Sequence, residues 1–61
     1  MKLEEYMDLH RFGKAEFAKY LNISRMSLDR YLKGKAPTIF VAARIHRRTK
    51  GEISLKDLGI E

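Results

Sequence analysis

Residues 14–33, KAEFAKYLNISRMSLDRYLK, decide how the rest of this 61-residue chain is read. Ala15, Ala18 and Leu21 recur at helical spacing and line one face of a short helix beginning near Lys14. Asn22-Ile23-Ser24 breaks that pattern. Ser24 suits the N-cap of a following helix, its hydroxyl placed to accept a backbone N–H from the first turn. Ile23 and Leu28 are spaced for a hydrophobic staple, while Ser27 stands where a full capping box would carry Glu or Gln. Leu28, Tyr31 and Leu32 form the inward stripe, and Lys33-Gly34 supplies a terminal cation and a terminal glycine. Two short helices joined by such a turn are the signature of a helix-turn-helix. Each position has a steric role. Ala18 must be small because the second helix crosses above it, and Asn22 tolerates the left-handed backbone that the turn needs. Ile23, Leu28 and Tyr31 fill the angle between the helices, opposite Phe17 and Leu21.

Before this stretch, Leu3, Tyr6, Met7 and His10 predict a first helix over about 2–11, with Gly13 placed to end it in a left-handed cap. Pro37 suits the first turn of a helix over 38–49, stopped by Lys50-Gly51. Ile39, Val41, Ala43 and Ile45 also alternate like a strand, and the turn residues after them would serve a β-hairpin. The Ala42-Ala43-Arg44 centre and the proline start favour helix. Ser54, Asp57 and an Ile53/Leu58 staple open a last short turn over 55–58. The expectation is an all-α, five-helix single domain over 1–61, with helices at about 2–11, 14–21, 25–33 and 38–49 and the short turn at 55–58 counted as the fifth. A C-terminal β-hairpin is the alternative.

The chain carries thirteen Lys and Arg against eight Asp and Glu, for +5. The distribution is uneven. Residues 1–10 hold Lys2 against Glu4, Glu5 and Asp8, for −2, and residues 51–61 hold Lys56 against Glu52, Asp57 and Glu61, again −2. Residues 11–50 hold eleven bases against Glu16 and Asp29, for +9. A basic middle between acidic ends is the footprint of a chain that lies against a polyanion, or else of a lysine-rich solvated surface. The absence of cysteine excludes disulfides and cysteine-ligated zinc. The longest apolar run, Ile39 to Ala43, is far below the ~20 residues of a membrane span. An acidic N-terminus without an apolar stretch does not fit a signal peptide, so a cytoplasmic protein is expected.

Residues 11–24, RFGKAEFAKYLNIS, resemble the Cro-like and YdaS-like regulators of phages and prophages, and residues 48–58, RTKGEISLKDL, look like their usual ending. The resemblance covers about residues 11–59. It implies a lambda-repressor-like helix-turn-helix fold, a transcription regulator, and a homodimer, at least on a double-stranded DNA operator. Asn22 replaces the family's usual glycine, and Arg25-Met26 replaces its common Gln-Ser start, so no operator carries over.

That implication agrees with the residues. Arg25, Met26, Ser27, Asp29 and Arg30 face away from the inward stripe, at the start and outside of the helix. N-terminal residues of a recognition helix are those that reach base edges. Arginine bonds guanine O6 and N7, serine reaches several bases, methionine packs on a thymine methyl, and a carboxylate accepts from cytosine N4. For Asp29, holding Arg25 or Lys33 at i, i+4 is favoured over reading a base. Lys14, Ser24, Lys33 and Lys35 are the candidates for phosphate contacts. Arg44, Arg47 and Arg48 read better as the solvated face of their helix than as more DNA contacts.

Other chemistry does not assemble. His10 and His46 are far apart without cysteine, His10 expected at the core edge and His46 near the surface, so no metal is expected. No serine has a nucleophile-elbow context, and Lys33-Gly34-Lys35 lacks the spacing of a phosphate-binding loop. No enzyme, cofactor or small-molecule ligand is expected. Besides the repressor reading stand a recombination or antitoxin accessory factor and a helical protein–protein adaptor. An adaptor would carry a larger spare apolar patch.

Overall fold

The computed structural model describes residues 1–60 and is all-helical, with no strand among the described residues. Helix α1 runs Leu3–His10, α2 Lys14–Leu21, α3 Arg25–Leu32 and α4 Ile39–Arg48. Lys56–Leu58 follows as a single 3-10 turn. The expected count of five helices is therefore corrected to four and that turn. Its hydrogen bonds are of the i→i+3 kind, Leu58 to Leu55 and Gly59 to Lys56, and Gly59 at φ 84° ends it at once.

The hairpin alternative over 38–58 is not what forms. In α4 the buried residues are Ala42 and Ile45, followed by Thr49, a spacing of three and four rather than two. Ile39, which the alternation would bury, is 51% exposed. Pro37 precedes the helix instead of occupying its first turn. Thr38 is the N-cap, its Oγ1 accepting from the Val41 N–H at 3.4 Å.

All four helices end in the same way. The N–H just after the left-handed residue returns to the carbonyl five residues back, and the left-handed residue's own N–H returns to the one three back. The outer pairs are Phe12 to Met7, Ile23 to Ala18, Lys35 to Arg30 and Gly51 to His46. Only α3 uses glycine at the turning position, Gly34 at φ 108°. Arg11, Asn22 and Lys50 take the left-handed conformation at the others, with φ of 57°, 58° and 54°. The expected cap at Gly13 is thus corrected to Arg11. Gly13 instead begins α2 in extended backbone, its N–H donating to Glu16 Oε1 at 3.3 Å.

Phe17, Leu21, Leu28, Ile45 and Ile53 are fully buried, with Leu3, Tyr6 and Met7 of α1 closing one side. Helix α2 packs against both α3 and α4. Its inward face is Phe17, Ala18 and Leu21, while Ala15 is exposed, because the bulkier Phe17 takes the core position. An aromatic chain links α1 to α2. His10 lies 4.1 Å from Tyr6 between ring centroids, Tyr6 5.6 Å from Phe17, and Phe12 5.2 and 5.1 Å from Phe17 and Tyr20. His10 is largely exposed at the edge of the core, its ring covering Tyr6 and its Nε2 facing Glu52 at 3.4 Å.

Candidate nucleic-acid interface

The outer start of α3 is built from its cap upward. Ser24 Oγ accepts from the Ser27 N–H at 3.0 Å and donates to Ser27 Oγ at 2.8 Å. Ser24 is therefore committed to the cap, whereas Ser27 keeps its own O–H for another acceptor. Asn22 supplies the left-handed step that turns the chain, and Ile23 packs against the core beside fully buried Leu28. With Leu28 inward, Arg25, Met26 and Arg30 are exposed, and Ser27 and Asp29 are half-buried. Met26 is 68% exposed, with an Arg30 guanidinium nitrogen 3.8 Å from its sulfur.

Asp29 is the centre of an ion cluster. Its Oδ1 accepts from Lys14 Nζ at 3.1 Å and its Oδ2 from Lys33 Nζ at 3.2 Å. Hydrogen bonds from Lys14 and then Lys33 hold the carboxyl below its ordinary pKa. The i, i+4 partner is thus Lys33 and not Arg25, which forms no ion pair among the described residues. Lysine 14 wins the second oxygen because α2 packs on α3 and brings its first residue across; no spacing within α3 announces this.

Lys14, Arg25, Met26 and Asp29 line one open hollow, so four of the expected site residues come together. Lys35 does not join them. It borders a different groove with Lys2, Lys56, Glu4 and Asp57, where Asp57 also holds the N-terminal ammonium at 2.6 Å.

Two arginines outside the expected site hold it in place. Arg44 Nη1 donates to the Asn22 carbonyl at 2.9 Å and Arg48 Nε to the Tyr20 carbonyl at 2.8 Å. Arg47 and Arg48 lie exposed on that face and Arg44 is half-buried, so the two bonded guanidinium groups support the turn from the solvent side of α4. The carbonyls at the end of α2 lack intrahelical donors, and arginines arriving from α4 supply them. His46 is half-buried, its Nδ1 3.0 Å from the Ile53 carbonyl. No group of three or more His, Cys, Asp or Glu side chains among the described residues is arranged to hold a metal ion, and no helix is long and apolar enough to cross a membrane.

Comparison of the chain with protein-family models, with curated proteins and with solved structures returned no match.

Proposed function

We propose that this protein is a sequence-specific double-stranded DNA-binding transcription regulator, a Cro-type phage or prophage repressor that acts by occupying its operator. In this reading α3 enters the major groove and Arg25, Met26, Ser27 and Arg30 meet base edges. Lys14 and Lys33 reach phosphates on either side, and Lys35 reaches a phosphate beyond α3. The observation that carries the reading is the bare outer start of α3. A capped helix backed by a fully buried Leu28 presents Arg25, Met26 and Arg30 to solvent, with lysines at its flanks.

The reading is of a binding protein without catalysis or cofactor, working in the cytoplasm. A helix of eight residues spans only about 12 Å and covers few base pairs. Two copies on a near-palindromic site, with half-sites about 34 Å apart, give the length that specific recognition needs. Selection of bound sequences from a random duplex pool, followed by footprinting, tests all of this. Enrichment of one near-palindrome is expected. Recovery of unenriched sequence, or a binding constant insensitive to salt, would remove the reading.

A further inference from the structure

Asp29 is the only acid between Glu16 and Glu52, and it sits on the helix face assigned to DNA. A carboxylate there faces phosphates and the acceptor-rich edge of the major groove. Stability does not account for it. Its ion pairs lie on the surface, with 39% of its own side chain exposed and 50% and 76% of Lys14 and Lys33, and such pairs contribute little. The α2–α3 contact is already filled by Phe17, Ala18, Leu21 and Leu28.

What the cluster does do is occupy cations. Each carboxylate oxygen holds one ammonium, and the two lysines come from opposite sides of the outer face of α3, the first residue of α2 and the residue after α3. Glu4 and Asp8 of α1 border the same shallow groove but form no ion pair with either lysine. Those two hydrogen bonds lower the carboxyl pKa, so the carboxylate stays charged and keeps both ammonium groups as partners.

We propose that Asp29 is a specificity-determining residue: an internal counter-ion that occupies Lys14 and Lys33 in the free protein and disfavours any duplex with no base amino group opposite it. This rests on the DNA reading above. When the lysines swing to phosphates, the carboxylate is uncovered in the groove. Where cytosine N4 or adenine N6 offers an N–H, it is paired again. Where only guanine O6, thymine O4 or purine N7 stands opposite, it is left among acceptors, and the complex is weakened by selective repulsion.

The test has two arms. In the free protein, the Asp29 carboxyl is titrated by carbon NMR in wild type and in Lys14→Met and Lys33→Met. Each variant is expected to move the titration up toward the ordinary carboxylate value. In binding, wild type, Asp29→Asn and Asp29→Ala are compared on a random-sequence duplex and on the duplex enriched from the pool. Both variants are expected to bind the random duplex on the order of tenfold more tightly while binding the enriched duplex within a few-fold of wild type. The salt dependence on the random duplex should steepen by up to about 1.8 in log–log slope, as two lysines become free to stay on phosphate. An unchanged ratio between the two duplexes overturns the proposal even if the titration shows the cluster. Equal weakening on both duplexes assigns Asp29 a purely structural role and overturns it too. If wild type binds neither duplex, the DNA reading falls and this inference with it, while an intact titration result shows that the cluster itself was described correctly.

Discussion

Tyr20 and Arg48 exchange hydrogen bonds across 28 residues of sequence. The Tyr20 hydroxyl donates to the Arg48 carbonyl at 2.7 Å, Arg48 Nε donates to the Tyr20 carbonyl at 2.8 Å, and the guanidinium carbon lies 4.8 Å from the ring centroid. The end of α4 and the end of α2 are thereby fixed to one another, one turn before α3 begins. Arg44, bonded to the Asn22 carbonyl, extends the same clamp into the turn itself.

This pair supports the first prediction. Arg48→Met and Tyr20→Phe should each lower stability by about 0.5–1.5 kcal/mol. Their double variant should lose close to the sum, because each side chain bonds the other residue's main-chain carbonyl, which both substitutions keep, and phenylalanine retains the ring beneath the guanidinium. Urea unfolding of the four proteins measures it. A double variant well off the sum would show that one bond forms only when the other does.

Thr49 supports the second. It is 1% exposed, and its hydroxyl donates to the Ile45 carbonyl at 2.8 Å while accepting from the Ile53 N–H at 3.2 Å. Thr49→Val keeps the shape but strands the Ile53 N–H in the core. A loss of about 1–3 kcal/mol is expected. Thr49→Ser retains the bonds and should lose less. Thermal unfolding separates the two, since each kcal/mol shifts Tm by roughly 4–8 °C in a domain of this size.

The helix starts and stops show what was legible in the sequence. Ser24 was readable as a cap because serine before an apolar run has one good use, and the structure uses it so. Gly34 was readable for the same kind of reason. Arg11 and Lys50 were not, because a glycine close by, Gly13 or Gly51, drew the expectation to itself. Thr49 and the Arg44 and Arg48 clamps were equally hidden. Their partners are carbonyls and N–H groups, which every residue carries and no sequence pattern marks. The exposure of Arg25, Met26 and Arg30 came through because exposure on a short helix follows from period alone. The ion cluster came through by half: Lys33 is at i+4 from Asp29, whereas Lys14 arrives by packing.

Those caps yield a third prediction. A left-handed conformation costs a non-glycine residue about 1–2 kcal/mol, and glycine gives back roughly 0.5–1 in chain entropy. Lys50→Gly should therefore raise stability by about 0.5–1 kcal/mol. Asn22→Gly should gain less, since asparagine already tolerates the position. Chemical denaturation of both variants ranks them, and a destabilised Lys50→Gly would mean that the lysine side chain makes a contact outweighing its backbone strain.

Acid provides the fourth. Asp57 accepts from the N-terminal ammonium at 2.6 Å and from the Ser54 N–H at 3.0 Å, and those bonds push its carboxyl far below the ordinary range. A carboxyl lowered by folding contributes stability that is complete above its unfolded value of about 3.9 and is lost as pH falls toward the folded value. Asp29, also lowered, adds in the same direction. Tm should hold from pH 7 to about 5 and then drop. Asp57→Asn should start lower at pH 7 and fall less steeply in acid. A parallel acid limb in the variant would place the sensitivity elsewhere.

The last prediction concerns Phe40, which is 82% exposed at the start of α4 beside a half-exposed Ile39. If the protein is the proposed regulator, binding as two copies, a second copy of the chain is the occupant expected at this surface. Aromatic side chains bury about 150–250 Å² each. Phe40 and Ile39 from two copies thus cover several hundred Å² together, below the ~1,200 Å² at which specific interfaces become stable on their own. The free protein is accordingly expected to sediment as a monomer at micromolar concentration and to pair only when DNA holds two copies side by side. Phe40→Ala should leave Tm unchanged, because the ring contributes nothing to the core. On a duplex with two half-sites it should reduce cooperative binding, while affinity for a single half-site stays as in wild type. A weaker single-site affinity would instead place Phe40 on the DNA, as an apolar wedge between base steps. A fall in Tm would show that the ring is packed in solution, and a stable dimer without DNA would require an interface larger than these two side chains supply.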